Sequence, residues 1–236
     1  MDLVFSPYSS AEPFALFGWW HLATLGALVL FGLWVVRSGL SAGPEGRRLR
    51  RWLLVTLLVV VELEWHGWQA LHGFWSVRRM LPFHMCSVLT YATMVALAGE
   101  RRRLYPLLYY FGIAGALQAV LTPDSGFGFP HIRFLNTMVG HGVLVISGVW
   151  VVVVEGYRPT WRHAWRCLGA LHLYAAFVFV VNRLLGSNYL WIMAKPPSAS
   201  ALDAFPDWPW YLIPLDILVV GVLILMTWPF ARRGPA

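Results

Sequence analysis

Long apolar runs, separated by short stretches rich in Arg, Gly and Pro, set the rhythm of this chain. A run of roughly 20 mostly apolar residues crosses the hydrocarbon core of a bilayer as a helix. Seven such runs occur, at about 17 to 36, 52 to 71, 81 to 98, 104 to 121, 134 to 154, 164 to 184 and 210 to 229, the third and fourth being the shortest. The expected fold is therefore all-α, a polytopic membrane protein built as a single bundle of about seven transmembrane helices. No internal repeat, low-complexity tract or second-domain boundary interrupts the pattern, so residues 1–236 are read as one domain.

Composition agrees with that reading. Hydrophobic residues make up 58% of the chain, charged residues 12%, and the mean hydropathy is +0.61, which excludes an ordinary soluble domain. The first run has no basic segment before it and no small-residue cleavage site, so it is expected to remain in the mature protein. The net charge of +7 matters through its distribution. With the N-terminus outside, Arg37, Arg47, Arg48, Arg50, Arg51, Arg101, Arg102, Arg103, Arg158, Arg162, Arg166, Arg232 and Arg233 fall on the cytoplasmic side, against Arg78, Arg79, Arg133, Arg183 and Lys195 outside. The positive-inside rule then predicts an external N-terminus and a cytoplasmic C-terminus. These arginines read as topology signals and anionic-lipid contacts, and no nucleic-acid partner is expected.

The polar residues inside the apolar runs are one-sided. His21, Glu62, Glu64, His66, Gln69, His84, Cys86, Gln118, Asn136, His141, Asn182 and Asp216 all fall in the outer half or near the midplane, with His172 the ambiguous case. Ionisable groups at membrane depth are expensive unless they are paired or face water. Glu62, His66 and Gln69 share one helical face. Scattered interhelical hydrogen bonds are the plain explanation of any one such residue; their common depth predicts a polar cavity open to the outer leaflet. The loop from Thr122 to Arg133, punctuated by Gly126, Gly128 and Pro130, reads as a lid over it or as a plain turn.

Candidate chemistry centres on Leu81-Pro82-Phe83-His84-Met85-Cys86-Ser87. Pro82 suits a first helical position, which puts Cys86 about one turn into the helix, where the dipole favours a thiolate while apolar burial opposes it. The other thiol, Cys167, lies roughly 20 Å away in depth at 1.5 Å per residue, so both cysteines are expected free. His141, between Gly140 and Gly142, sits at nearly the depth of Cys86, its ring left accessible by the small neighbours. A thiol and an imidazole in reach of each other make an activated nucleophile suited to acyl transfer through a thioester. Glu62, Asn136 or Asn182 are the candidates to orient the imidazole; His84, Gln118 or the backbone near Cys86 are the candidates to hold an oxyanion. His21 and His66 complete the expected cavity wall. No metal-binding spacing such as H-x-x-x-H or C-x-x-C occurs, and no cofactor is expected, although paired histidines on facing helices leave haem open as a third reading.

Several of these segments together resemble a known family. Phe17-Gly18-Trp19-Trp20-His21, the Leu81–Ser87 block, Gly112 to Asp124, Phe129-Pro130-His131-Ile132-Arg133-Phe134, Gly140-His141-Gly142, the stretch from Asn188-Tyr189 to Pro196-Pro197, and Pro206-Asp207-Trp208-Pro209-Trp210-Tyr211 look like the bacterial YwaF-like integral membrane family. That family is similar to a eukaryotic transmembrane acyltransferase of ether phospholipids and, more distantly, to membrane hydrolases of fatty-acid esters. The resemblance implies Cys86 as nucleophile, His141 as its base, membrane lipids as substrate and the bacterial inner membrane as location. A non-catalytic transporter or a lipid or ligand receptor using the same cavity is the competing expectation.

Overall fold

The computed structural model describes residues 2–7, 13–124, 126–196 and 201–231; Arg232 and Arg233, counted above in the charge distribution, and Pro197 lie outside the described residues. The described residues form helices and connecting turns, without a strand. They are α1 (Asp2–Phe5), α2 (Trp19–Leu40), α3 (Pro44–Leu71), α4 (Met85–Ala98), α5 (Arg102–Leu121), α6 (Ile132–Val153), α7 (Trp161–Leu185) and α8 (Leu212–Ala231). Short 3₁₀ turns occupy Tyr189–Trp191 and Ala201–Ala204. Among the described residues α2, α5, α6, α7 and α8 are long and apolar enough to cross a membrane. Helix α3 is longer than any of them, at 28 residues, but carries the polar group from Glu62 to Gln69. Helix α4 is a shorter apolar helix.

Two boundaries differ from the sequence expectation for a shared reason. The stretch 37–51 between the first two apolar runs is mostly helix: α2 runs to Leu40, and α3 begins at Pro44 with Gly43 before it. Hydropathy marks where lipid ends, not where backbone hydrogen bonding ends. Pro at the start of α3 loses no bond, because the first four N–H groups of a helix have no intrahelical acceptor. Pro82 does not play that part. Helix α4 opens at Met85, after a turn closed by Phe83 N–H to the Leu81 carbonyl at 2.7 Å.

The residues fall into two compact units: 1–75 with 89–157, and 76–88 with 158–236. The first is built on α6, which packs against α2, α3 and α5. Between helices in lipid, close van der Waals contact substitutes for the missing hydrophobic drive, and small residues permit it. Three glycines of α6 each admit a different neighbour. A Cβ on Gly140 would lie 3.0 Å from Val61 of α3; on Gly142, 2.6 Å from Leu28 of α2; and on Gly148, 2.7 Å from the Leu108 carbonyl oxygen of α5. The glycines beside His141 thus seat Val61 and Leu28, a use different from the exposure of the ring expected above. In return Gly39 of α2 takes the Trp150 ring, which would stand 2.3 Å from an added Cβ. Where α5 meets Gly148 its backbone widens into a π turn over Leu108–Ile113, a local expansion that re-aims a helix face.

At the arginine-rich end of this unit the guanidinium of Arg51, buried, bridges Glu100 at 2.5 Å and Glu155 at 3.0 Å, and Trp150 Nε1–H donates to the same Glu155 oxygen at 3.0 Å. A cleft of about 600 Å³ lies alongside, lined by residues from Ala42 to Arg48 with Arg51, Glu100 and Glu155. It stands at the first turns of α3, and its lining residue nearest to Glu62 on that helix, Arg51, is eleven residues and roughly 16 Å away at 1.5 Å per residue.

The second unit joins α7 and α8 to the loop before α4 and to the first turn of α4 itself. Its helices present mostly apolar surface, and its internal order comes from the loop after α7. There Gly186 adopts the left-handed conformation that ends α7 (φ 63°, ψ 39°). Asn182 then folds the chain back: its Oδ1 accepts from Tyr189 N–H at 2.8 Å and Ser187 Oγ–H at 2.8 Å, while its Nδ2–H donates to the Tyr189 carbonyl at 2.9 Å.

Candidate functional site

The thiol of Cys86 is the second residue of α4 and is half-buried, whereas Cys167 is buried in α7; neither is in a disulfide. The segment leading to Cys86 is fixed from three directions within its unit. The buried hydroxyl of Tyr189 donates to the Val77 carbonyl at 2.6 Å and accepts from Leu81 N–H at 3.0 Å. Tyr174 Oη–H donates to the Phe83 carbonyl at 3.0 Å. The His84 ring rests against Tyr189 and Trp191, with centroids 5.2 Å from each. Leu190 and Trp191 both hold positive φ, 60° and 53°, a conformation that costs non-glycine residues of order 1–3 kcal/mol and persists where surroundings over-determine it. The surroundings here are Tyr211, whose hydroxyl donates to the Trp191 carbonyl, and Trp208, whose Nε1–H donates to the Ile192 carbonyl at 2.9 Å. Burial pushes the Tyr189 and Tyr211 hydroxyls above the ordinary tyrosine range, the Leu81 amide drawing that of Tyr189 partly back, so both remain donors.

His141 is half-buried in α6, in the first unit. Its Nδ1 lies 2.8 Å from the Thr137 carbonyl. A carbonyl can only accept, so Nδ1 carries the proton of the neutral ring and Nε2 the lone pair. The backbone of its own helix thus orients this imidazole.

The remaining expected cavity residues of the first unit are joined into local networks. His21 accepts from Phe17 N–H at Nδ1 (3.1 Å) and donates from Nε2 to the Val120 carbonyl at 2.9 Å, tying α2 to α5. Trp75 Nε1–H donates to His66 Nδ1 at 3.1 Å; His66 Nε2 lies 3.5 Å from Glu62, and Glu62 accepts from Tyr91 Oη–H at 3.0 Å. Since an indole can only donate, His66 Nε2 carries the hydrogen that faces Glu62. Asn136 donates to the Val61 carbonyl at 2.8 Å and to one oxygen of Glu64, whose other oxygen is buried without a hydrogen bond among the described residues. Gln118 has an exposed side chain, and its carbonyl accepts from Thr122 at the end of α5. Glu62, Asn136 and Asn182, the three candidates to orient His141, are thus engaged by Tyr91 and His66, by Val61 and Glu64, and by Ser187 and Tyr189.

The loop from Thr122 to Arg133 is anchored by His131, the residue that caps α6. Its Nδ1 accepts from Arg133 N–H at 3.2 Å, its Nε2–H donates to the Ser6 carbonyl at 3.0 Å, and its ring stacks on Phe127 at 3.9 Å. Trp68 Nε1–H donates to the neighbouring Phe5 carbonyl at 2.8 Å, and Arg133 lies over Trp65 and Trp68. Burial, reinforced by Arg133 and His72 and opposed by the Ser6 contact, holds the His131 ring below the ordinary histidine range. In the second unit His172 donates from Nδ1 to the Leu168 carbonyl at 2.9 Å and pairs through Nε2 with Asp216 at 3.2 Å.

Tyr189, Tyr174, Tyr91 and Thr137 were not singled out by sequence reasoning. Tyrosine is ordinary in an apolar helix, and a backbone carbonyl carries no residue signature. The Asn188-Tyr189 pair did stand among the segments that carry the resemblance, without a role attached.

Among the described residues no group of His, Cys, Asp and Glu is arranged to hold a metal ion. Described residues that form helices and connecting turns, with five helices among them long and apolar enough to cross a membrane, make this chain a polytopic helical membrane protein. More particularly, it belongs to the TMEM164 family, whose model matches residues 16–227. No curated protein and no solved structure matches the chain.

Proposed function

We propose that this protein is a membrane lipid acyltransferase or acyl hydrolase that works through a thioester on Cys86, with His141 as the base. The observation that carries the reading is the setting of Cys86: a half-buried thiol in the first turn of α4, on a backbone pinned by Tyr189 and Tyr174. The positive end of a helix favours thiolate there, and first-turn amides are donors for an oxyanion. His141 supports the reading through its tautomer, since the nitrogen that must accept the thiol proton is the one left basic by the Thr137 contact. The likeness of the Leu81–Ser87 and Gly140–Gly142 segments to YwaF-like proteins, and through them to an ether-phospholipid acyltransferase, points to the same pair and to bilayer lipids as donor. The arginine distribution supports seven spans, an external N-terminus and a cytoplasmic C-terminus, and the likeness to YwaF-like proteins supports a plasma-membrane location.

The test is intact-protein mass spectrometry of the chain purified from its own membrane, before and after neutral hydroxylamine, on wild type, Cys86→Ala and His141→Ala. An acyl-sized adduct on wild type that hydroxylamine removes, and that Cys86→Ala lacks, is the expected result. If Cys86 stays unmodified, and Cys86→Ser and Cys86→Ala keep whatever activity the protein has, the enzyme reading fails and a transporter or ligand receptor takes its place.

A further inference from the structure

Along the approach to Cys86 the backbone is tied at successive points, and one side chain stands apart. Tyr189 holds Val77 and Leu81, Tyr174 holds Phe83, and the His84 carbonyl accepts the first helical hydrogen bond of α4, from Val88 N–H at 3.1 Å. His84 is therefore the residue at the N-cap, two positions before the thiol. Its ring is steadied by Tyr189 and Trp191, but among the described residues neither of its nitrogens has a hydrogen-bond partner. Most imidazoles of this chain are committed: His21, His66, His72, His131 and His172 each use ring nitrogens on named carbonyls, amides or side chains. In either protonation state an imidazole offers at least one N–H. The backbone of His84 opens the helix whose second residue carries the thiol. The ring is held in place by contacts that use its faces and edges and leave its donor unspent.

We propose that His84 donates a hydrogen bond to the oxyanion formed when the Cys86 thiolate adds to an acyl carbonyl, and is thus a third catalytic residue of the site. This rests on the thioester reading above. In the acylation step the Cys86 Sγ–C bond forms as the carbonyl π pair moves onto oxygen, where the His84 N–H receives it alongside the first-turn amides. On collapse the C=O bond re-forms and the ester C–O bond breaks. The leaving oxygen takes the proton that His141 Nε2 removed from the thiol. A thiol and an ester become a thioester and an alcohol, with no oxidant or other reactant required.

The experiment compares two reactions of the same thiol in the full chain in detergent micelles. One is butyrylation of Cys86 by 4-nitrophenyl butyrate, read as the mass adduct, which passes through an oxyanion. The other is alkylation by iodoacetamide, which does not. His84→Phe keeps a ring against Tyr189 and Trp191, and is expected to slow butyrylation by about 10²–10³-fold while alkylation changes by less than about twofold. His84→Gln, which restores an N–H donor, is expected to recover at least about tenfold of that loss. Unchanged butyrylation in His84→Phe overturns the role, as does an equal loss in both reactions, which would mean that the ring only supports the thiol. If wild-type Cys86 is alkylated but never butyrylated, the thioester reading itself is overturned and this role with it.

Discussion

The two units achieve order by different means. In the first, α6 is the central helix, with 56% of its apolar window buried against 11% for the peripheral α2, and its position is set by glycines that accept side chains or a carbonyl from α2, α3 and α5; the second has no such central helix, with 11% of the window buried in both α7 and α8. The second unit fixes the segment before Cys86 with backbone hydrogen bonds made by Tyr189 and Tyr174, and the loop after α7 with those of Asn182. Packing tolerates small shifts of a flexible side chain, whereas a backbone hydrogen bond loses most of its strength beyond a few tenths of an ångström or a poor angle.

That contrast makes ranked predictions. The largest loss of stability should come from the first unit's buried ion pairs. Arg51→Ala strands the buried Glu155 carboxylate and should cost about 3–5 kcal/mol, read as denaturant-induced unfolding in detergent, with Cys86 alkylation of the folded fraction unchanged. Next, Tyr189→Phe removes a donor to Val77 and an acceptor for Leu81, for about 1–3 kcal/mol. Here the revealing effect is functional: the Cys86 to Cys167 alkylation ratio should change several-fold. A Tyr189→Phe protein with an unaltered ratio would break the comparison, because the Tyr189 hydroxyl would then not be what holds the segment before Cys86.

Gly148→Ala drives a Cβ onto the Leu108 carbonyl, a backbone atom that moves only with its helix, and should cost about 1–3 kcal/mol by overpacking. Gly142→Ala meets only the end of Leu28, a flexible side chain, so its loss should be smaller. Equal losses at the two positions, measured in the same unfolding assay, would show that α5 and α2 yield alike.

The smallest effect is expected from pH. The His131 ring is held below its ordinary range in the folded chain, so the neutral ring is the favoured native form. Its contribution is fully present above the unfolded value of about 6.5 and is lost as pH falls below it. Protonation also removes the Nδ1 acceptor for Arg133 N–H. Thermal stability should therefore fall between about pH 7 and pH 5, and His131→Asn, which keeps a capping acceptor without titrating in this range, should flatten that slope. An unchanged slope would assign the acid sensitivity to other groups.

Much of this was legible in the sequence. The apolar runs placed every long helix, since lipid exposure demands length and apolarity, and both are written locally. The importance of Cys86 and His141 as candidates came from residue type and approximate depth, quantities that a helix of constant rise converts directly from residue number. Even the intramembrane polar residues were found, because their cost in lipid marks them out one at a time. The purposes of several were not. Residue type and depth mark His21 and Asn182 as polar residues of the bundle without naming the Val120, Ser187 and Tyr189 groups they bond, and the loop composition marks 122–133 as a turn or lid without showing that His131 caps α6 and reaches Ser6.

What only the tertiary structure decided is which partner each polar atom takes and which neighbour each small residue admits. Those are choices among groups far apart in sequence: Arg51 with Glu100 and Glu155, Tyr189 with Val77 and Leu81, Gly148 with Leu108. Periodicity can say that a residue faces inward, because the helix repeat is local. It cannot say what it will meet there, because that depends on how helices separated by fifty or a hundred residues come together.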